Sequence, residues 1–149
     1  MRSLLATVLA LLVGCSSGPP GPMLPKTLTL RRVDYEEAGG ILPITGTLEL
    51  VIEPSGEAKS SCLRQILTNV DRSGDLSREQ LLELVSRVDA WMAKPGEMPP
   101  GKGNNYGKLV YGDKKVVWQK DDKLPPELEA LVNFLLTVPP TLRAEIRRR

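Results

Sequence analysis

Leu4 to Val13 is an apolar run broken only by Thr7, and it limits how much of this chain is available to fold. At about 1.5 Å per helical residue the run reaches roughly half-way through a bilayer core, so it reads as the apolar part of an export signal and not as a membrane span. Met1-Arg2-Ser3 supplies the short positive start of such a signal. Ser16 to Pro25 then holds four prolines and two glycines, a composition that favours extended polyproline segments over packing. The expected organisation is a signal over 1–14, a spacer over 15–26, one domain over 27–140 and a basic tail over 141–149. A domain of that size buries about two-thirds of its unfolded surface and needs neither metal nor disulfide to be stable.

The apolar run ends in Leu12-Val13-Gly14-Cys15, which resembles the lipobox of bacterial lipoproteins. Gly14 leaves room for a peptidase at the scissile bond, and the Cys15 thiol is the nucleophile that can carry a diacylglyceryl group as a thioether. The resemblance implies cleavage before Cys15, palmitate on it, and the bilayer as a partner. With two or three acyl chains, at about 0.8 kcal/mol per buried methylene, such attachment is effectively stable. Ser16 stands where that family carries aspartate to retain a lipoprotein at the inner membrane, which implies the outer membrane of a bacterial cell envelope. Lipidation of Cys15 would leave Cys62 as the one other cysteine, read as a small buried hydrophobe or, alternatively, as half of an intermolecular disulfide.

What the composition lacks narrows the function. The 149 residues include no histidine, which removes the commonest general base, the Ser-His and Cys-His nucleophile pairs and every His-containing zinc site. Carboxylates are scattered, and Gly101-Lys102-Gly103 lacks the spacing and hydroxyl of a phosphate loop. No enzymatic activity and no cofactor are expected. Lysine and arginine number 20 against 18 acidic residues, so no uniform basic field is present to hold nucleic acid. Arg143, Arg147, Arg148 and Arg149 form a local excess, read as a solvated tail or as a contact for anionic lipid or an acidic partner.

Periodicity supplies the elements. Thr27 to Val33 and Thr47 to Glu53 alternate as strands, with Leu28 and Leu30 on one face of the first and Leu48, Leu50 and Ile52 on one face of the second. A loop with Gly39-Gly40 and Pro43 lies between them. Pro54-Ser55-Gly56 predicts a turn into a third strand over Ala58 to Leu67, although Leu63, Ile66, Leu67 and Val70 also suit a helix. Ser77-Arg78-Glu79-Gln80 has the form of a capping box. Leu81, Val85, Val88 and Met92 follow at helical spacing, widened by Leu84 and Trp91, until Pro95-Gly96. Tyr106 to Tyr111 and Lys114 to Lys120 flank Gly112-Asp113 as a hairpin, pairing Leu109 with Val116 and Gly107 with Trp118. Leu124-Pro125-Pro126-Glu127 opens a second helix with Leu128, Leu131, Val132 and Leu135 on its apolar face, ended by Pro139-Pro140. The order predicts an α+β domain: an antiparallel sheet of about four to five strands with two main helices packed on one face.

Asn69 to Gln80 looks like an EF-hand loop, with oxygen-bearing Asn69, Asp71, Ser73 and Asp75 as calcium candidates and Gly74 at the turn position. It departs from that pattern where Gln80 replaces the bidentate glutamate and Asn69 the first aspartate. The preferred reading is a turn over Asp71 to Asp75 followed by the Ser77 cap, so no metal site is assigned.

From Thr27 to Leu136 the layout is similar to emfourin, the bacterial inhibitor of the thermolysin-like protease protealysin. The shared features are a strand running into Gly39-Gly40, a turn-and-strand pair, Leu76-Ser77-Arg78-Glu79-Gln80-Leu81 opening a helix, a glycine-rich hairpin, and Leu124-Pro125-Pro126 before the closing helix. That resemblance implies inhibition of a metalloprotease by loops inserted into its cleft. This chain departs from it in the lipid anchor and in a longer Val33 to Thr45 insertion. The expectation is a non-enzymatic envelope lipoprotein whose domain binds another protein, with an emfourin-like inhibitor as the alternative.

Overall fold

The computed structural model describes residues 21–37, 44–63, 69–98 and 105–146. Their elements are β1 (Leu28–Glu37), β2 (Ile44–Ile52), β3 (Glu57–Leu63), β4 (Val70–Asp75), α1 (Arg78–Ala93), β5 (Gly107–Tyr111), β6 (Lys114–Trp118), α2 (Pro126–Leu136), a 3₁₀ turn (Pro139–Thr141) and β7 (Arg143–Ile146). The Gly39-Gly40 and Pro43 loop, Ile66 and Leu67, and Gly101 to Gly103 lie outside the described residues.

All strands join one antiparallel sheet in the order β6-β5-β1-β2-β3-β4-β7. Register brings the leucines together, since Leu30 pairs with Leu50 on one side and Leu109 on the other. Leu28, Leu48 and Ile52 are buried on the same face. That face meets the buried Leu81, Leu84, Val88 and Trp91 of α1 and the Leu128, Leu131, Val132 and Leu135 of α2 in a single core. Arg87 of α1 pairs with Glu83 and lies over the Phe134 ring of α2, which closes the outer side of the helix pair.

The class is α+β, but the sheet has seven strands where four to five were expected. Two elements account for the difference. Val70 to Asp75 (VDRSGD), expected to hold a turn, is strand β4 despite two aspartates and a glycine, which sheets ordinarily disfavour. It is hydrogen-bonded on both sides, to β3 and to β7, and this tertiary pairing overrides its weak intrinsic preference. The second element is β7, in residues expected to be a solvated tail. Leu142, just before it, is 5% exposed and packs among the core residues, holding the chain end on the sheet. Arg147, Arg148 and Arg149 lie outside the described residues.

The spacer also ends earlier than expected. Leu24 is fully buried, and its N–H donates to the Pro54 carbonyl at 3.3 Å. Chain packing therefore begins before Thr27.

Ser77 caps α1 through both halves of the capping box: its hydroxyl accepts from the Gln80 N–H, and the Gln80 side chain accepts from the Ser77 N–H. The apolar stripe is rotated from the expected one, because Trp91 is fully buried while Met92 is 42% exposed. The Lys114 ammonium lies 4.7 Å from the Trp91 ring, so that ring closes the core beneath the hairpin. The hairpin has the expected register, with Leu109 opposite Val116 and Gly107 opposite Trp118, and Gly112 takes the positive φ its turn requires.

Candidate functional site

Cys15 lies outside the described residues. The four calcium candidates fall at and along β4, where Asp71, Ser73 and Asp75 pair with Ser61, Lys59 and Glu57. Alternate residues of a strand stand about 6.6–6.8 Å apart on one face, so these oxygens form a row and do not converge as a coordination shell requires. Asp71 Oδ1 accepts from the Ser61 hydroxyl at 2.8 Å.

A different set of residues does converge. β1 does not stop at Val33 but passes through a bulge between Arg32 and Tyr35, where Asp34 takes φ 53, a left-handed conformation that aspartate tolerates better than most residues. The extra residue keeps Tyr35 opposite Gly46 and Glu37 opposite Ile44, so both follow Arg32 on the core-facing side of the sheet. The apolar face beneath the helices thus becomes polar at one end. Gly46 is required there, because a Cβ would come within 2.4 Å of the Leu63 carbonyl oxygen.

Arg72 of β4 reaches into this end and donates to Glu37 Oε1 at 2.7 Å, with only 15% and 12% of the two side chains exposed. Its other terminal nitrogen donates to the Leu142 carbonyl at 3.2 Å, tying the pair to the chain end. Tyr35 is buried beside them. Burial, followed by the Glu37 carboxylate and Cys62, pushes its phenol up to about 12 against the opposing pull of Arg72. The Tyr35 hydroxyl finds no hydrogen-bond partner among the described residues.

Arg32 forms the next layer. Its guanidinium stacks over the Tyr106 ring, 4.2 Å from the centroid, and donates to the Tyr106 hydroxyl. Its Nε is buried without a partner among the described residues. Between Arg32 and Tyr35 on the sheet and Leu136, Thr137 and Pro140 on the helical side lies a groove of about 400 Å³, completed by the exposed Asp34 and Glu36.

Searches for a matching family model, curated protein or solved structure found none.

The groove offers recognition chemistry. The Arg32 guanidinium has donors and no acceptor, and a phenol held near 12 is a hydrogen-bond donor and not a base. The described groove thus sets the Arg32 donors and the acceptor oxygens of Asp34 and Glu36 against an apolar wall, with the Tyr106 ring stacked behind Arg32. Sequence reading missed it because the alternation in β1 breaks at Val33-Asp34. The available signal was that Arg32, Tyr35 and Glu37 resume a spacing of two after one inserted residue, the trace a bulge leaves.

Proposed function

We propose that this chain is a membrane-anchored envelope lipoprotein, tethered through Cys15, whose domain is non-enzymatic and binds another protein in the groove beside Arg32. The observation that carries the reading is the Arg32–Tyr106 stack at the rim of an apolar-walled groove. Arginine and tyrosine are enriched at the energetic centres of protein interfaces, where a stacked, desolvated guanidinium orders its own donors before the partner arrives. The anchor is supported by the lipobox and by the proline-rich stretch that follows it.

Both parts are tested separately. Cys15→Ser should abolish palmitate labelling and block cleavage of the precursor, and persistent labelling overturns the anchor. A photo-crosslinking residue at Thr137 in cells should give a discrete adduct with a second protein that Arg32→Ala weakens by roughly thirtyfold, the effect of losing about 2 kcal/mol at an interface centre. No adduct, or one indifferent to Arg32, overturns the groove as the binding site.

A second reading, inhibition of a thermolysin-like metalloprotease, draws on the resemblance of the Thr27 to Leu136 sequence layout to emfourin. Titrating such a protease with the full chain should abolish proteolysis at stoichiometric amounts. Undiminished proteolysis at micromolar chain removes this reading.

A further inference from the structure

The face of the sheet turned away from the helices is covered by no described element, and its charges are arranged with a direction. Strand pairing places Lys108 of β5 beside Arg31 of β1, then Glu49 of β2, Ser61 of β3, Asp71 of β4 and Glu145 of β7 in one row across the sheet. The row is basic on one side of the β1–β2 boundary and acidic on the other. The neighbouring row carries Val110, Thr29 and Val51 at its middle, and these three are half-buried around a shallow depression of about 250 Å³. This second row is flanked by Lys115 on one side and by Lys59 and Arg143 on the other, so the opposition of charge lies in the first row, beside the apolar centre.

We propose that this face binds a second copy of the chain, sheet against sheet, about a two-fold axis parallel to the strands and passing between β1 and β2. That axis keeps each residue at its height along the strands and exchanges left for right. Arg31 then faces Glu49 of the second copy, Lys108 faces its Ser61 with Asp71 one strand beyond, within reach of the long lysine side chain, and each contact occurs twice. Val51 and Thr29 meet their counterparts at the centre. An axis running across the strands would instead set each charged row against a different row and lose the match. The Arg31–Glu49 pair within one copy is loose, at 3.7 Å with both side chains half exposed, so both groups are available to bridge the copies.

The geometry suits two anchored chains. Leu24 docks at the start of β1, and rotation about an axis parallel to the strands leaves both Leu24 residues at the same end of the pair. Both tethers then reach one bilayer, a point that rests on the anchor reading above. Seven strands spaced about 4.8 Å apart, with paired lengths of about 20 Å, allow roughly 1,200 Å² to be covered in all, the lower bound of stable interfaces. Confinement to a membrane raises the effective concentration that such an interface needs. The Arg32 groove lies on the helical side and stays open in the pair.

Thr29→Cys in the full chain, in native membranes and treated with a short bifunctional maleimide, should give a crosslinked dimer about tenfold above Ser86→Cys on the outer side of α1, since facing sheets stand about 10 Å apart. Lys108→Glu in that background should lower the yield about tenfold, and adding Asp71→Lys should restore it, because two repulsive contacts become attractive again. Restoration separates lost complementarity from misfolding. Equal crosslinking at positions 29 and 86, or no recovery in the double variant, overturns the proposal. Flotation of the same samples with lipid reads the anchor independently: floating chains that do not crosslink refute the pairing alone, and crosslinked chains that do not float refute the anchor alone.

Discussion

Trp118 covers Gly107 across the β5–β6 hairpin so closely that a Cβ on Gly107 would lie 2.1 Å from the indole carbons Cε2 and Cζ2. The ring is 3% exposed and has little room to retreat. Gly107→Ala should therefore cost about 1–3 kcal/mol, the usual penalty for overfilling a packed site. Urea unfolding followed by tryptophan fluorescence should show a lower midpoint with an unchanged slope.

The Arg72–Glu37 pair should behave as a buried ion pair does. Arg72→Met alone leaves Glu37 without its cation, and should cost roughly 3 kcal/mol. Arg72→Met with Glu37→Leu should cost distinctly less, because neither charge is then stranded. A double-mutant cycle on chemical denaturation measures the difference, and additive single effects would contradict the coupling.

Tyr35 makes stability fall at alkaline pH. Its phenol keeps its proton in the folded chain up to about 12, while in the unfolded chain it releases it near the ordinary value of 10.0. Folded protein therefore binds more protons over that window, and stability is lost as pH rises from about 10 to about 12. Tyr35→Phe should flatten this limb by as much as about 2–3 kcal/mol. Near neutral pH the same variant should be close to neutral, because the hydroxyl it removes has no described partner. Burial also raises the Tyr111 phenol, so part of the alkaline limb should persist in the variant.

Ending the chain after Thr141 should damage the fold far more than removing 147–149. The longer deletion takes away Leu142 from the core and the carbonyl that holds Arg72, and leaves β4 as an unprotected edge. Losing a buried leucine alone costs about 2–5 kcal/mol, and an exposed edge strand invites association. Thermal scans with light scattering should show earlier unfolding and aggregation for the longer deletion only.

Where burial and local pattern agree, the sequence was readable. Leu28, Leu30, Leu48, Leu50 and Ile52 alternate because one face of the central strands is covered, and the Ser77–Gln80 cap and the Gly112 turn are short-range chemistry. β4 and β7 escaped for the converse reason. From Val70 to Asp75 and from Arg143 to Glu145 their residues are mostly polar and none is buried, and only the neighbouring ladders make them strands. The candidate groove was unreadable at the point where Asp34 interrupts the alternation, since its members come from β1, α2 and the following turn and meet only after folding.

Leu24 has a mechanical consequence as well as a packing one. It is buried at the head of β1, a strand bonded to β2 on one side and, from Leu28 to Arg32, to β5 on the other. Tension applied through the residues before it runs along the strand axis, so the two ladders resist in shear, many hydrogen bonds loaded together, and do not peel apart one at a time. A domain held by its N-terminal end is thereby gripped at the place where the sheet yields last.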